Sequence, residues 1–208
     1  MHYIPIALPL LVLFAFLFAF LIILIEIDIL RYTYDRMGVG RRHMFALLFF
    51  SFVGSYVNIP IYNLSGTVIA VNLGGAVIPF LLSIYLWIKN RLYVLGLVGV
   101  AIMTFFVHMM AYPVRGMGIA VPTLVPSLIA ASVAFILSRR YAPALAYISG
   151  SLGILIGADI LNLGQIEAMG APVASIGGAG KFDGIFLTGI LSVFLASLLS
   201  GRKGSPKQ

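Results

Sequence analysis

Long apolar stretches, separated by short segments that carry most of the charged residues, are the dominant pattern along the chain. Seven of these stretches have about 20 residues, which is the length that an α-helix needs to cross a hydrocarbon layer of roughly 30 Å. Their ranges are 3–25, 44–63, 68–88, 92–112, 119–138, 141–163 and 184–200. The pattern predicts an all-α, polytopic transmembrane helical bundle that forms a single domain over residues 1–208.

The first and the last two stretches need a further comment. The first begins at Met1 without a basic segment and is longer than the apolar core of a secretory signal peptide, so we expect it to be retained as a helix. Glycine and polar residues interrupt the sixth and seventh stretches. We still interpret both of them as spans.

Basic residues are distributed very unevenly between the segments that connect the predicted spans. The segments after spans 1, 3, 5 and 7 hold eleven of the thirteen Lys and Arg residues, and the other connections hold only Arg115 and Lys181. The eleven are Arg31, Arg36, Arg41, Arg42, Lys89, Arg91, Arg139, Arg140, Arg202, Lys203 and Lys207. Because Lys and Arg favour the cytoplasmic side, we expect the N-terminus outside and the C-terminus in the cytoplasm of a multi-pass cell-membrane protein. The basic cytoplasmic segments are then a loop at 30–43 and a tail at 201–208.

Composition supports this interpretation and removes several classes of function. The chain is 62% apolar and 9% charged, with a mean hydropathy of +1.12, whereas soluble domains are about half apolar and a quarter charged. The absence of cysteine excludes disulfide scaffolds, thiolate metal sites and cysteine catalysis. The net charge of +7 is explained by the basic residues that mark the cytoplasmic side. A nucleic-acid partner is therefore not expected.

A weak internal repeat has a period near 50 residues. A shift of 50 places Val57-Asn58 on Val107-His108 and Ile69-Ala70-Val71 on Ile119-Ala120-Val121, and a shift of 103 places Gly74-Gly75-Ala76 on Gly177-Gly178-Ala179. Spans 2–3, 4–5 and 6–7 are therefore interpreted as three copies of one helical hairpin in the same orientation. Packed together, the copies would bring their polar outer turns to one depth, in the outer half of the membrane.

Ionisable residues within spans are costly, by roughly 2.5–3.5 kcal/mol on insertion scales, so each is a candidate functional group. His108, Asp159 and Asp183 meet this description. Asn162 lies three residues after Asp159, which would place its amide on the same helix face as the carboxylate. The alternatives are structural: an interhelical hydrogen bond for His108, a buried acid that joins helices for Asp159, and an ordinary helix cap for Asp183.

A glycine-rich run precedes Asp183. Gly177, Gly178 and Gly180, followed by Lys181, could form a backbone nest for an anion such as a lipid phosphate or a carboxylate. The spacing does not match a Walker motif, so a nucleotide site is not expected. Close helix packing is the structural alternative for these glycines. Asn58, Asn162, His108, Lys181 and the glycines are our candidate binding residues.

The segment from Gly157 to Leu191 resembles an uncharacterised integral-membrane family of bacteria and archaea, a domain of unknown function. The stretches Gly-Ala-Asp-Ile-Leu-Asn-Leu and Ala-Ser-Ile-Gly-Gly-Ala-Gly-Lys-Phe-Asp-Gly-Ile-Phe-Leu-Thr-Gly carry this resemblance. It implies no activity.

A looser resemblance is to intramembrane aspartyl proteases of the presenilin and signal-peptide-peptidase type. That family uses one Asp in the sixth span and one in the seventh, where Asp159 and Asp183 fall, and Gly178-Ala179-Gly180 resembles its Gly-x-Gly-Asp motif. Lys181 and Phe182 interrupt that motif here, and Pro143-Ala144-Leu145 precedes Asp159 instead of following both acids. The resemblance implies that Asp159 and Asp183 are catalytic and share a proton to activate water.

Several functions remain open for a polytopic membrane protein with this outward-facing site. One is a small transporter or ion-coupled channel, in which Asp159 binds a proton or a cation; the few polar residues in the inner half of each span argue against it. Others are an aspartyl-type hydrolase and a lipid- or partner-binding scaffold. The candidate partners are membrane lipid and a small solute, ion or membrane peptide; a homo-oligomer is compatible with the sequence. No cofactor or metal site is expected, since the spacing of His108 and the two acids is not specific for a metal.

Overall fold

The computed structural model describes residues 15–19, 29–64, 66–114, 118–122, 124–165, 173–178 and 184–200. This part of the chain is mostly helical. Its longer helices are α1 (Ile29–Met37), α2 (Arg41–Gly54), α3 (Ile78–Lys89), α4 (Tyr93–Met110), α5 (Leu124–Leu137), α6 (Ala142–Ile154) and α7 (Gly184–Leu199). Its strands are β1 (Asn58–Leu64), β2 (Thr67–Asn72), β3 (Tyr112–Val114), β4 (Gly118–Ala120) and β5 (Val173–Ile176).

Two helices continue in irregular segments. A π-helical segment, Leu73–Val77, leads into α3. A second π-helical segment, Leu155–Asp159, follows α6 directly and passes into a 3₁₀ segment, Ile160–Gln165. Each change of helical type alters the backbone hydrogen-bond pattern, and π segments are frequent at functional sites.

Helix α6 forms the centre of the bundle, and all of its residues from Ala142 to Ile154 are buried. Small residues make this possible because they let neighbouring backbones approach closely. A Cβ atom on Gly153 would lie 2.4 Å from the Cβ of Met103, and one on Gly157 would lie 2.7 Å from the Thr104 carbonyl oxygen. Helices α4 and α6 therefore cross in direct contact.

The outer helices expose many large apolar side chains. Val94 of α4 is 73% exposed and Ile136 of α5 is 81% exposed, and Leu97, Phe105 and Met109 are also exposed. Two described helical stretches, Tyr93–Met110 and Ala142–Gln165, are long and apolar enough to cross a membrane. They correspond to the fourth and sixth predicted spans.

Strands β1, β2 and β5 form a small sheet at one end of helices α2, α3 and α6. Strands β1 and β2 form an antiparallel hairpin in which Asn58 pairs with Asn72, and Gly66 turns the chain with a positive φ of 96°. Strand β5 adds to β2 in parallel. Strands β3 and β4 form a separate antiparallel pair.

These strands correct the expectation of an all-α fold with spans at 44–63, 68–88 and 119–138. Strand β1 occupies the end of the first of these ranges, β2 the start of the second, and β4 the start of the third. The apolar residues there are largely β-branched and surround the Ser65-Gly66 turn, which is a hairpin pattern. Average hydropathy does not distinguish such strands from helices. Most of the first predicted span lies outside the described residues.

The basic connections lie at the end of the bundle opposite the sheet. The Lys89 ammonium donates a 2.6 Å hydrogen bond to the Gly38 carbonyl, which joins the end of α3 to the α1–α2 connection. The Arg36 guanidinium donates to the Ser200 hydroxyl at 2.9 Å, which joins α1 to the end of α7. The connections after predicted spans 1, 3 and 7 thus meet in space.

Candidate functional site

The hairpin of β1 and β2 presents a pair of hydrogen-bonded asparagines where it joins the helices. The Asn72 amide donates to Asn58 Oδ1 at 2.9 Å and to the Ser55 carbonyl at 2.8 Å. Its own Oδ1 accepts the Gly75 N–H at 2.8 Å and so caps the π segment that leads into α3. Ser175 of β5 donates to the same Asn58 oxygen at 2.6 Å. This cluster connects the hairpin to β5.

Asp159 is the last residue of the π segment after α6, and its side chain is half-buried. The Gly177 N–H, just after β5, donates to Asp159 Oδ2 at 2.7 Å. Gly177 has a positive φ of 72°, and a Cβ atom there would lie 2.7 Å from the Ala76 nitrogen and 2.6 Å from its Cβ. Only glycine is compatible with this position. Because Gly177 contacts both Asp159 and Ala76, Asp159 lies close to the π segment Leu73–Val77 that leads into α3.

His108 and Asn162 form a second group around the Gly157 carbonyl. Asn162 Nδ2 donates to the carbonyls of Gly157 and Ala158, both at 2.9 Å, and lies 3.3 Å from His108 Nδ1. His108 Nδ1 also lies 3.3 Å from the Gly157 carbonyl. Because the two amide hydrogens of Asn162 already point at carbonyls, we assign the proton to His108 Nδ1, which donates to Gly157. The exposed imidazole keeps Nε2 as an acceptor.

The structure therefore brings together residues from three predicted hairpins: Asn58 from the first, His108 from the second, and Asp159, Asn162, Gly177 and Gly178 from the third. Gly178 packs beside Ser175 and Asn58. The Asn162 amide donates to carbonyls at the transition from π to 3₁₀ helix, and a helix face shared by Asn162 and Asp159 stays a prediction. The Gln165 side-chain amide donates to Asn162 Oδ1 at 2.9 Å.

Three of the predicted site residues, Asp183, Lys181 and Gly180, lie outside the described residues. The separation of the Asp159 and Asp183 carboxylates, and with it the paired-acid interpretation, stays a prediction. Asp35 and Asp159 are the acidic residues within the described part of the chain, and Asp35 belongs to α1 at the basic end. The described residues contain no group of three His, Asp or Glu side chains that could hold a metal ion.

Buried hydroxyl groups are the feature that the sequence analysis missed. The sequence predicts few polar groups in the inner half of the bundle, yet many Ser and Thr side chains are buried between helices: Ser51, Ser83, Ser127, Ser149, Ser151, Thr188, Ser192 and Ser197. The oxygens of Ser51, Ser83, Thr104, Ser151, Thr188 and Ser197 have no hydrogen-bond partner among the described residues. Single serines within apolar stretches are the sequence signal that could have located them.

The family comparison adds an independent result. The family described as "Protein of unknown function (DUF1614)" matches residues 20–195, which is most of the chain. The chain belongs to this family. Membership in DUF1614 confirms the resemblance to an uncharacterised family, and the protease resemblance has no counterpart in it. No curated protein and no solved structure gives a significant match.

Proposed function

We propose that this chain is a multi-pass protein of the cell membrane that binds a small cation, either a metal ion or a proton, at Asp159 as a step in transport. The membrane location is supported by large apolar side chains on the outside of the bundle, such as Val94 and Ile136. In water these side chains would form extended apolar patches, whereas a lipid environment accommodates them. The two helices of spanning length support the same location.

The proposed topology has seven spans, with the sheet outside and the basic connections in the cytoplasm. Helix α2 begins beside Arg42 and ends at β1, and α3 begins after β2 and ends at Lys89, so the sheet and the basic residues lie at opposite ends. The contacts of Lys89 and Arg36 join the basic connections. This arrangement agrees with the preference of Lys and Arg for the cytoplasmic side.

A threefold repeat of hairpins is part of this proposal. The order helix, strand, strand, helix occurs in α2–β1–β2–α3 and again in α4–β3–β4–α5. The third copy would be α6, its irregular extension, β5 and α7. Strand β5 runs parallel to β2, as two equivalent strands from copies in the same orientation would.

One observation carries the assignment of a cation site. Asp159 is the last residue of the π segment within the central helical stretch Ala142–Gln165, and its described hydrogen bond comes from a neutral group, the Gly177 N–H. No Lys or Arg forms an ion pair with Asp159 within the described residues. A carboxylate in an apolar interior is costly unless a proton or a cation neutralises it. Transport needs only this single acid, whereas a paired-acid hydrolase needs a second one beside it.

The test compares wild type with Asp159→Asn, each purified in detergent and titrated with Na⁺, K⁺, Mg²⁺ and H⁺ while the melting temperature is measured. A ligand that binds the folded state raises the free energy of unfolding by about 2.7 kcal/mol at a hundredfold excess over Kd. We expect one of the four to stabilise wild type and to leave Asp159→Asn unchanged. Equal responses from the two proteins would contradict the site.

A further inference from the structure

The hydroxyl groups around α6 continue inward from Asp159. Ser151 of α6 lies eight residues before Asp159, which is about 12 Å along a helix, and Tyr147 lies about 6 Å further. Both side chains are buried. A Cβ atom on Gly189 of α7 would lie 2.5 Å from Ser151 Oγ and 3.0 Å from the Tyr147 ring, so both groups face α7 at one place. Thr188 is the preceding residue of α7.

Tyr147, the innermost of these residues, lies towards the end of the bundle that contains the basic connections. Helix α1 packs against α6, and Tyr34 of α1 and Tyr147 of α6 are both buried. Burial, followed by the neighbouring Tyr147, raises the pKa of the Tyr34 phenol well above its ordinary value. The phenol is therefore neutral at physiological pH and can both donate and accept a hydrogen bond. The next residue, Asp35, is exposed.

Two kinds of hydroxyl occur along α6 and α7, and the difference between them is informative. Ser149 donates to the Leu145 carbonyl at 2.7 Å, and Ser192 donates to the carbonyls of Ala146 and Gly189. These two have the bonds expected of buried polar groups. Ser151 and Thr188 are at most 1% exposed and have no hydrogen-bond partner among the described residues. The buried Thr104 hydroxyl also has none there, and the carbonyl of the same residue lies against Gly157.

We propose that Thr104, Ser151, Thr188, Tyr147 and Tyr34 form a proton pathway between Asp159 and the cytoplasmic face. This proposal rests on the proposed function and names the transported cation as the proton. A hydroxyl can accept a proton on its oxygen and release its own hydrogen, so one proton passes without any other reactant. Ser151 and Asp159 are about 12 Å apart along the helix, so bridging water molecules have to complete this part of the pathway.

The packing argues for a proton and against a metal ion. Gly189 lies in contact with Ser151, and Gly153 and Gly157 lie in contact with α4. A metal cation would need the space for a shell of several oxygen ligands at about 2.0–2.6 Å, and the described residues contain no group of three His, Asp or Glu side chains that could hold such an ion. A single water molecule between two hydroxyls requires much less.

The experiment measures proton uptake by liposomes that contain the full-length protein and a pH-sensitive dye. A K⁺ gradient with valinomycin provides the driving potential. Wild type is compared with Asp159→Asn, Ser151→Ala and Thr188→Val, the last of which keeps the shape of the side chain. The matched controls are Ser149→Ala and Ser192→Ala, which remove hydroxyls on the same helices that already have partners. Melting temperatures confirm that each variant folds.

We expect wild type to take up protons, Asp159→Asn to lose uptake, and Ser151→Ala and Thr188→Val to lose about tenfold, the effect of one hydrogen bond on a transfer barrier. The controls should keep the wild-type rate. Equal losses in Ser149→Ala and Ser151→Ala would overturn the pathway, as would uptake that depends on Asp159 but not on Ser151 or Thr188. Cation binding at Asp159 without any proton uptake would also overturn the pathway and leave the proposed site intact. If wild type showed neither cation binding at Asp159 nor proton uptake, the proposed site and the pathway would both be contradicted.

Discussion

Gly177 donates its backbone N–H to the Asp159 carboxylate at 2.7 Å, and this bond joins the strand β5 segment to the end of the central helix. The two residues are 18 positions apart in the sequence, and Gly177 also packs against the backbone of Ala76 at the start of the α3 helix. Three separate segments of the chain thus meet at Asp159.

Two substitutions distinguish how the charge of Asp159 and its hydrogen bond to Gly177 contribute to stability. Asp159→Asn keeps an oxygen that accepts the Gly177 N–H, so we expect a melting temperature within a few degrees of wild type. Asp159→Ala leaves that N–H without its partner and should lower the free energy of unfolding by about 1–3 kcal/mol. Thermal unfolding in detergent checks both. A larger loss in Asp159→Asn than in Asp159→Ala would contradict the role of this bond.

Gly177→Ala should be strongly destabilising, because the new Cβ would collide with Ala76 and because the positive φ of 72° is unfavourable for alanine. We expect a loss of roughly 1–3 kcal/mol, with a fall of about 2–4 °C in melting temperature for each kcal/mol. Gly164→Ala is the control, since a Cβ there meets no atom within 4 Å. The prediction fails if the two variants melt at the same temperature.

Asn162→Leu should destabilise the end of the central helix. The carbonyls of Gly157 and Ala158 would lose their amide donor, at a cost of about 1–3 kcal/mol for buried polar groups left unpaired. Gln165→Ala removes only the outermost bond of this group and should change stability by less than half as much. Hydrogen exchange of the amides in 155–165, measured by mass spectrometry, should increase in the first variant. Unchanged exchange of these amides would contradict the role of the Asn162 hydrogen bonds.

The crossing of α4 and α6 predicts a graded response to alanine at two glycines. Gly153→Ala would place a Cβ 2.4 Å from the Met103 Cβ, whereas Gly99→Ala would place one 3.2 Å from the Ser149 Cβ. We expect Gly153→Ala to lose about 1–3 kcal/mol by overpacking and Gly99→Ala to lose clearly less. Denaturation of the two variants under identical detergent conditions measures the order, and a reversed order would contradict the packing.

Hydropathy alone located the fourth and sixth helices closely, because α4 and α6 with its extension have a high mean hydropathy and lack strand signals. It failed where β-branched residues surround a Ser-Gly turn, as in β1 and β2, since strands and helices can have the same mean hydropathy. The internal repeat aligned Asn58 with His108 and assigned both of them, together with Asp159, to the outer turns of hairpins. The repeat itself stays a prediction. The partners of Asn162 could not be predicted, because they depend on a change from π to 3₁₀ helix that the sequence pattern does not reveal.

The central claim is that the sheet end of the bundle faces outward and the basic end faces the cytoplasm. Because the chain contains no cysteine, single cysteines can be introduced without background labelling. Tyr62→Cys in β1 and His43→Cys in α2 are exposed positions at the two ends. In right-side-out membrane vesicles, a membrane-impermeant maleimide should label Tyr62→Cys directly and His43→Cys only after the membrane is permeabilised. Equal labelling of both before permeabilisation, or the opposite order, would contradict the account.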